Sequence, residues 1–302
     1  PLNLKRKNVF IKFMKKRYIL SSKIKTSKDL DDIIRKYDVI IVGSDQVWNI
    51  GLTEGLSNIY TLNFDSKALK ISYAASVGDA SQINENIDVF QEKLKDINYI
   101  SVREEDARDE LSKIIQKKIK VVLDPTLLLK KEEWEELLDK GKYDEEKYIL
   151  AYVVEADKEY IKIVNDLSQK TGLKVIHFNK FNPGYNNVLK NAYTEGPLEF
   201  VNYIKNAEYV VATSFHATVF SIIFNKKFFI IPHKKTGSRV TNLLDKLGIK
   251  GRTFNSFNEF KKIDYNFDTN WEEVNNKLDI ERENSINWLF NAINDEKEEE
   301  NE

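Results

Sequence analysis

Reactive side chains in this chain gather where buried strands give way to helices. Glu208–Thr213 is a short β-branched and aromatic run, and Phe215–Phe224 carries apolar residues at helical spacing. Between them, Thr213 and Ser214 offer hydroxyls that can cap the first N–H groups of the helix. His216 then falls in the first helical turn, at the carboxyl end of a strand. In an open α/β sheet ligands bind at that edge, and a helix N-terminus there favours anions. The plainer reading is a core or capping histidine, but the strand–helix switch favours a ligand-facing one.

Other candidates stand at equivalent places. Arg103 follows the apolar run Ile97–Val102 and precedes the acidic helix Glu104–Ile115. An arginine there can grip a carboxylate or phosphate with both prongs, or pair with Glu104, Glu105 or Asp106. Asp45, Gln46, Trp48 and Asn49 follow the strand Asp38–Val42 and a Gly-Ser-Asp turn. Amides and a carboxylate for hydroxyls, with a ring for a C–H face, are what a sugar requires. Equally, the same residues could be a turn whose tryptophan packs in the core and whose aspartate caps a helix. Arg239 opens a helix after the loop Pro232–Ser238, which also carries His233, Lys234 and Lys235.

The elements that would position these groups alternate. Expected strands are Asp38–Val42, Leu69–Ser76, Ile97–Val102, Lys120–Leu123, Tyr148–Val154, Leu173–Phe178, Glu208–Thr213 and Phe228–Ile231. Expected helices include Ser27–Lys36, Ile87–Leu94, Glu104–Ile115, Asp157–Thr171, Pro197–Ala207, Phe215–Phe224, Arg239–Leu247 and Trp271–Ile293. Such alternation argues parallel sheets with helices on both faces. The Glu- and Lys-rich stretch Lys130–Glu146, with an inner helix around Trp134–Leu138, reads as a solvated connection. Domains are therefore expected at 1–140 and 141–294, with 295–302 a disordered acidic tail. Asn179–Ala192 reads as an irregular loop, either a lid or a surface loop without a role.

Composition narrows the class. A chain of 302 residues with 41% hydrophobic content can bury two ordinary cores. Basic residues number 47 against 48 acidic, so nothing marks nucleic acid as a partner. There are no cysteines, which fits a reducing cytoplasm and excludes disulfides and thiolate metal sites. His177, His216 and His233 are too scattered for a zinc site, and no cofactor is indicated. The stretch Leu4–Tyr18 is basic with apolar residues interspersed. It reads as an amphipathic helix packing on its own domain, with a peripheral contact to anionic lipid as the alternative.

Four segments in order carry a resemblance: DVIIVGSDQVWN at Asp38–Asn49, YISVRE at Tyr99–Glu104 with DPTLL at Asp124–Leu128, SFHATVFSIIF at Ser214–Phe224, and GSRVTNLLDKLG at Gly237–Gly248. Together they are similar to the polysaccharide pyruvyl transferase family, from about Lys28 to Arg252. Ala217 stands where that family usually has glycine, and Ser214 where some relatives have arginine. The resemblance implies two Rossmann-like domains facing across a cleft, GT-B-like, with the terminal helix crossing back onto the first. It also implies an opening strand and loop upstream of Pro1, so the N-terminal domain is expected to lack its first strand.

The resemblance further implies transfer of a pyruvyl unit from phosphoenolpyruvate to two hydroxyls of a glycan, forming a ketal. Arg103, Arg239 and the helix start at Ser214–His216 would then hold the donor anions. His216 would deliver the proton to the methylene carbon, and Asp45, Gln46, Trp48 and Asn49 would hold the acceptor, which a membrane-associated enzyme could meet in lipid-linked form. Alternatives are a glycosyltransferase using a nucleotide sugar on the same architecture, and a catalytically silent glycan-binding relative.

Overall fold

A computed structural model describes residues 2–53, 55–138, 146–153, 158–232, 237–266 and 268–295. His233, Lys234, Lys235 and the tail after residue 295 lie outside the described residues. The chain divides into two units, Ser21–Leu128 with Asn275–Glu302, and Pro1–Leu20 with Leu129–Val274. The first holds a four-stranded sheet and the second a five-stranded sheet, both wholly parallel.

Helix α1 (Leu2–Arg17) belongs to the five-stranded unit and buries no residue completely. The four-stranded unit opens with α2 (Ser27–Ile34), started by a capping box between Thr26 and Asp29. Strand β1 (Val39–Val42), β2 (Leu69–Ala75), the helices α3 (Ser81–Glu85) and α4 (Ile87–Leu94), β3 (Tyr99–Val102), α5 (Glu105–Ile114) and β4 (Ile119–Val121) follow. The strand order β1-β2-β3-β4 sets the carboxyl ends of all four at one edge, with Val42 beside Ser72, Ala75 beside Val102, and Val102 beside Val121.

The chain then builds α6 (Lys131–Leu137), β5 (Tyr148–Tyr152), α7 (Lys158–Thr171), β6 (Lys174–His177), β7 (Val188–Asn191), α8 (Pro197–Asn206), β8 (Tyr209–Ala212), α9 (Phe215–Ile223), β9 (Lys227–Ile230), α10 (Ser238–Leu247), α11 (Phe257–Phe260) and α12 (Trp271–Ile293). Strand order in this second sheet is β7-β6-β5-β8-β9. All eight strands expected from the sequence form. The ninth, β7, lies inside the segment read as an irregular loop. Its four residues are exposed on the edge of the sheet, so no buried apolar pattern announces it.

The unit division also differs from the sequence-based boundary. Chain passage falls at Leu128–Leu129, and the segment read as a solvated connection contributes α6 to the five-stranded unit. Trp134 is the reason: its ring meets Phe220 edge-on at 4.9 Å, while Glu135 pairs with Lys205 at 3.4 Å.

Both sheets are covered on two faces. In the four-stranded unit, Phe90, Leu94, Ile100, Val102 and Leu111 form one core layer. On the other face Ile71 and Tyr73 pack with Trp288 and Ala292 of α12. Two polar ties fix that helix, from Leu123 N–H to Ser285 Oγ at 3.0 Å and from Arg282 Nε to the Leu127 carbonyl at 2.8 Å. In the five-stranded unit, α7 lays Tyr160, Ile163, Val164 and Leu167 on β5, β8 and β9, sealed by Phe254 and Phe260.

Candidate functional site

In the four-stranded unit the side chains that follow the strands converge on Arg103. This residue is only 8% exposed. It donates from Nη1 to Asp124 Oδ2 at 2.8 Å and from Nε to Glu104 Oε1 at 3.0 Å, and Nη2 lies 3.6 Å from Asp45 Oδ1. The Ser44 hydroxyl sits 3.0 Å from Asp124 Oδ2 and 2.9 Å from the Ala74 carbonyl. The other oxygen of Asp124 accepts from the Thr126 hydroxyl at 2.6 Å and its N–H at 3.1 Å. Burial works against the charge on Arg103, but Glu104 and Asp124 outweigh it and hold the guanidinium above its ordinary range. Asp45 contrasts with its neighbours because its carboxylate is exposed.

Local backbone demands place these groups. Gly43 has φ +111°, and a Cβ there would stand 2.2 Å from the Tyr73 carbonyl oxygen, so the turn after β1 requires glycine. Asp45 takes φ 62°, a left-handed conformation that aspartate tolerates better than most residues. Gly78 (φ +79°) leaves room for the pair Gln46 and Asn49. A Cβ would approach Gln46 Oε1 to 2.3 Å and Asn49 Nδ2 to 2.7 Å. Those two side chains are tied to each other, Asn49 Nδ2 donating to Gln46 Oε1 at 2.8 Å.

Trp48 departs from the sugar-stacking role. It is 0% exposed, packs in the core layer of the unit, and donates its indole N–H to the Tyr60 carbonyl at 2.9 Å. No face of the ring is open to a ligand, so the core alternative is the one the fold adopts. Arg103 likewise occupies its ion-pair alternative with Glu104, joined by Asp124, which is remote in sequence. In the sequence Asp124 stands only as the first residue after the expected strand Lys120–Leu123. Its signal was the same as for Arg103, a charged residue at the end of a buried strand, with Pro125 and Thr126 closing the turn.

In the five-stranded unit, β8 hands over to α9 through Thr213 and Ser214. Ser214 is the N-cap residue in extended conformation, but its side chain makes no capping bond; its carbonyl accepts from Thr218 N–H and Oγ1 instead. The expected hydroxyl cap from Ser214 is therefore not made. Phe215 is buried and anchors the turn, whereas His216 is half-buried with its ring 5.5 Å from that of Phe215. Arg239, in the first turn of α10, places its guanidinium 5.9 Å from the same Phe215 ring. Phe215 thus has both the His216 ring and the Arg239 guanidinium near its own ring, at 5.5 and 5.9 Å. Ala217 is fully buried on the inner face of α9.

The expected site residues therefore form one group in each unit: Asp45, Gln46, Asn49 and Arg103 in the four-stranded one, Ser214, His216 and Arg239 in the five-stranded one. Polar groups gathered at the carboxyl ends of parallel strands define an α/β protein with a ligand-binding edge. The chain belongs to the polysaccharide pyruvyl transferase family, whose model matches residues 2–235. No curated protein matches it significantly. Among solved structures it is similar to a UDP-GlcNAc 2-epimerase from Methanocaldococcus jannaschii, solved with UDP-GlcNAc and UDP, at 15% identity and TM-score 0.48 over 87% of this chain and 83% of that one. A provisionally named UDP-N-acetylglucosamine 2-epimerase from Listeria monocytogenes is similar at 11% identity and TM-score 0.46, over 86% of this chain and 67% of that one.

Proposed function

We propose that the protein transfers the pyruvyl unit of phosphoenolpyruvate to two hydroxyls of a polysaccharide or its precursor, forming a pyruvate ketal and releasing inorganic phosphate. Family membership indicates polysaccharide pyruvyl transfer. The observation that supports this donor is that the His216 ring and the Arg239 guanidinium lie 5.5 and 5.9 Å from the Phe215 ring at the start of α9. Phosphoenolpyruvate carries a carboxylate and a phosphate, and a guanidinium beside helical N–H groups suits both.

The reaction is an addition followed by a substitution. A sugar hydroxyl adds to C2 of the enol as His216 supplies a proton to the C3 methylene, which becomes a methyl group, and the hydroxyl's own proton passes to the His216 imidazole that this leaves. The second hydroxyl then replaces phosphate at C2, and the departing phosphate carries that hydroxyl's proton. Asp45, exposed and held by Arg103, accepts a hydrogen bond from an acceptor hydroxyl, with the Gln46–Asn49 amide pair beside it. In this reading Arg103 is a positioning residue for Asp45 rather than the grip on the donor.

Thermal-shift titration tests the reading directly. Stabilisation by phosphoenolpyruvate, with phosphate release that depends on added glycan, is the expected result. Stabilisation by a nucleotide sugar and not by phosphoenolpyruvate would replace the reading with glycosyl transfer. Stabilisation by glycan alone, without phosphate release, would make the protein a binding relative.

A further inference from the structure

Helix α1 docks on its own unit through one face and leaves other apolar side chains exposed. At about 100° per residue, Asn3, Arg6, Val9 and Phe13 share one face. That face docks on the five-stranded unit. Asn3 Oδ1 accepts from the Tyr193 hydroxyl at 3.0 Å, and Arg6 donates to the Tyr193 carbonyl at 3.1 Å with its guanidinium 4.8 Å from the ring. Val9 comes so close to Gly196 that a Cβ there would meet it at 2.8 Å.

Leu4 and Met14 are 62% and 42% exposed, while Tyr18, 58% exposed, bonds its N–H back to the Met14 carbonyl at 2.9 Å and sets its ring edge-on to that of Phe13 at 6.0 Å. Ile19 and Leu20 extend the exposed patch. Lys7, Lys12 and Lys15 stand among these residues. No acidic residue occurs before Asp29. A protein partner could cover the apolar groups, but an uninterrupted basic border is complementary to a continuous anionic surface. No helix among the described residues is long and apolar enough to cross a membrane.

We infer that the outward face of α1, from Leu4 to Leu20, docks the protein on an anionic lipid surface. Met14 and Leu4 enter the headgroup boundary while Lys7, Lys12 and Lys15 meet lipid phosphates. The inference is independent of the donor and acceptor proposed above.

Vesicle co-sedimentation of the full chain tests it. Binding to phosphatidylcholine vesicles containing roughly one-third phosphatidylglycerol should exceed binding to pure phosphatidylcholine by about tenfold or more at low salt. It should collapse at about 1 M salt, where screening acts within roughly 3 Å. Leu4→Glu with Met14→Glu should reduce the partition by about tenfold or more without moving the melting temperature, since both sites are exposed. Lys7→Glu with Lys15→Glu should do the same. Equal binding to both vesicle types, undiminished binding of the Glu variants, or self-association without vesicle binding would each overturn the inference.

Discussion

Arg103 and Asp124 stand at the ends of neighbouring strands and meet at 2.8 Å, both nearly sealed from solvent. The parallel register brings them together, because Val102 pairs with Val121 and each chain then leaves the sheet on the same edge. Around this contact the exposed carboxylate of Asp45 is held at 3.6 Å. The buried pair is best understood as a mount: its own charges are largely satisfied within the protein, and the group it presents outward is Asp45.

Asp124→Asn removes the buried charge while keeping shape. Arg103 would then retain Glu104 as its buried counter-charge, and the loss of one partner of a buried pair costs about 3 kcal/mol. Urea denaturation should show a decrease of that order. Arg103→Lys should also destabilise, by about 1–3 kcal/mol, because an ammonium cannot hold Glu104 and Asp124 in the same fork. If both variants melt like the parent, the mount has no structural weight.

Trp48→Phe separates core packing from sugar stacking. With the ring fully buried and its N–H bonded to Tyr60, stability should drop by about 1–3 kcal/mol. The apparent affinity for the glycan should not change in the folded fraction. Weaker glycan binding at unchanged stability would return Trp48 to the acceptor site.

The fold was readable where burial writes a pattern. The strand ends at Val42, Val102 and Ala212 were legible because continuous apolar runs end there in turn or capping residues. Exposed β7 wrote no such pattern, and the helix α6 was legible but its place in the five-stranded unit was not, because that rests on Trp134 meeting Phe220. Site legibility followed the same logic. Residue type and position marked Arg103, Asp45 and His216 as candidates, but a tryptophan beside polar residues reads alike whether it faces a sugar or a core. Asp124 needed the strand order, since only pairing β3 with β4 makes it a neighbour of Arg103.

Acid stability should report on His177. This residue ends β6, is 1% exposed, and stacks near Tyr185 at 5.5 Å. Burial holds its imidazole below the ordinary value of 6.5, only partly offset by a backbone contact at Asn179. The unfolded chain therefore binds a proton more readily than the folded one between the lowered value and 6.5. Its contribution is fully present above pH 6.5 and is lost as pH falls through the folded value. Melting temperatures of the parent should fall on acidification through this range, and His177→Gln should fall less steeply. Parallel curves for the two proteins would remove His177 from the acid response.

The decisive substitution is His216→Gln. His216 sits half-buried in the first turn of α9, with Phe215 anchoring the turn and the Arg239 guanidinium 5.9 Å from the Phe215 ring. Glutamine keeps approximate size and hydrogen bonding but cannot deliver a proton to carbon. Loss of a general acid typically lowers the rate by about 10²–10⁴-fold. The variant should therefore fold normally, retain phosphoenolpyruvate binding in calorimetry, and lose turnover by that order. Arg239→Gln should give the opposite pattern, with donor affinity falling first because a charge-assisted contact worth about 1.5–3 kcal/mol is removed. Measuring both variants for binding and for phosphate release separates the roles. Unfolding of the Gln variant would make His216 a packing residue, and full turnover would take it out of the chemistry altogether.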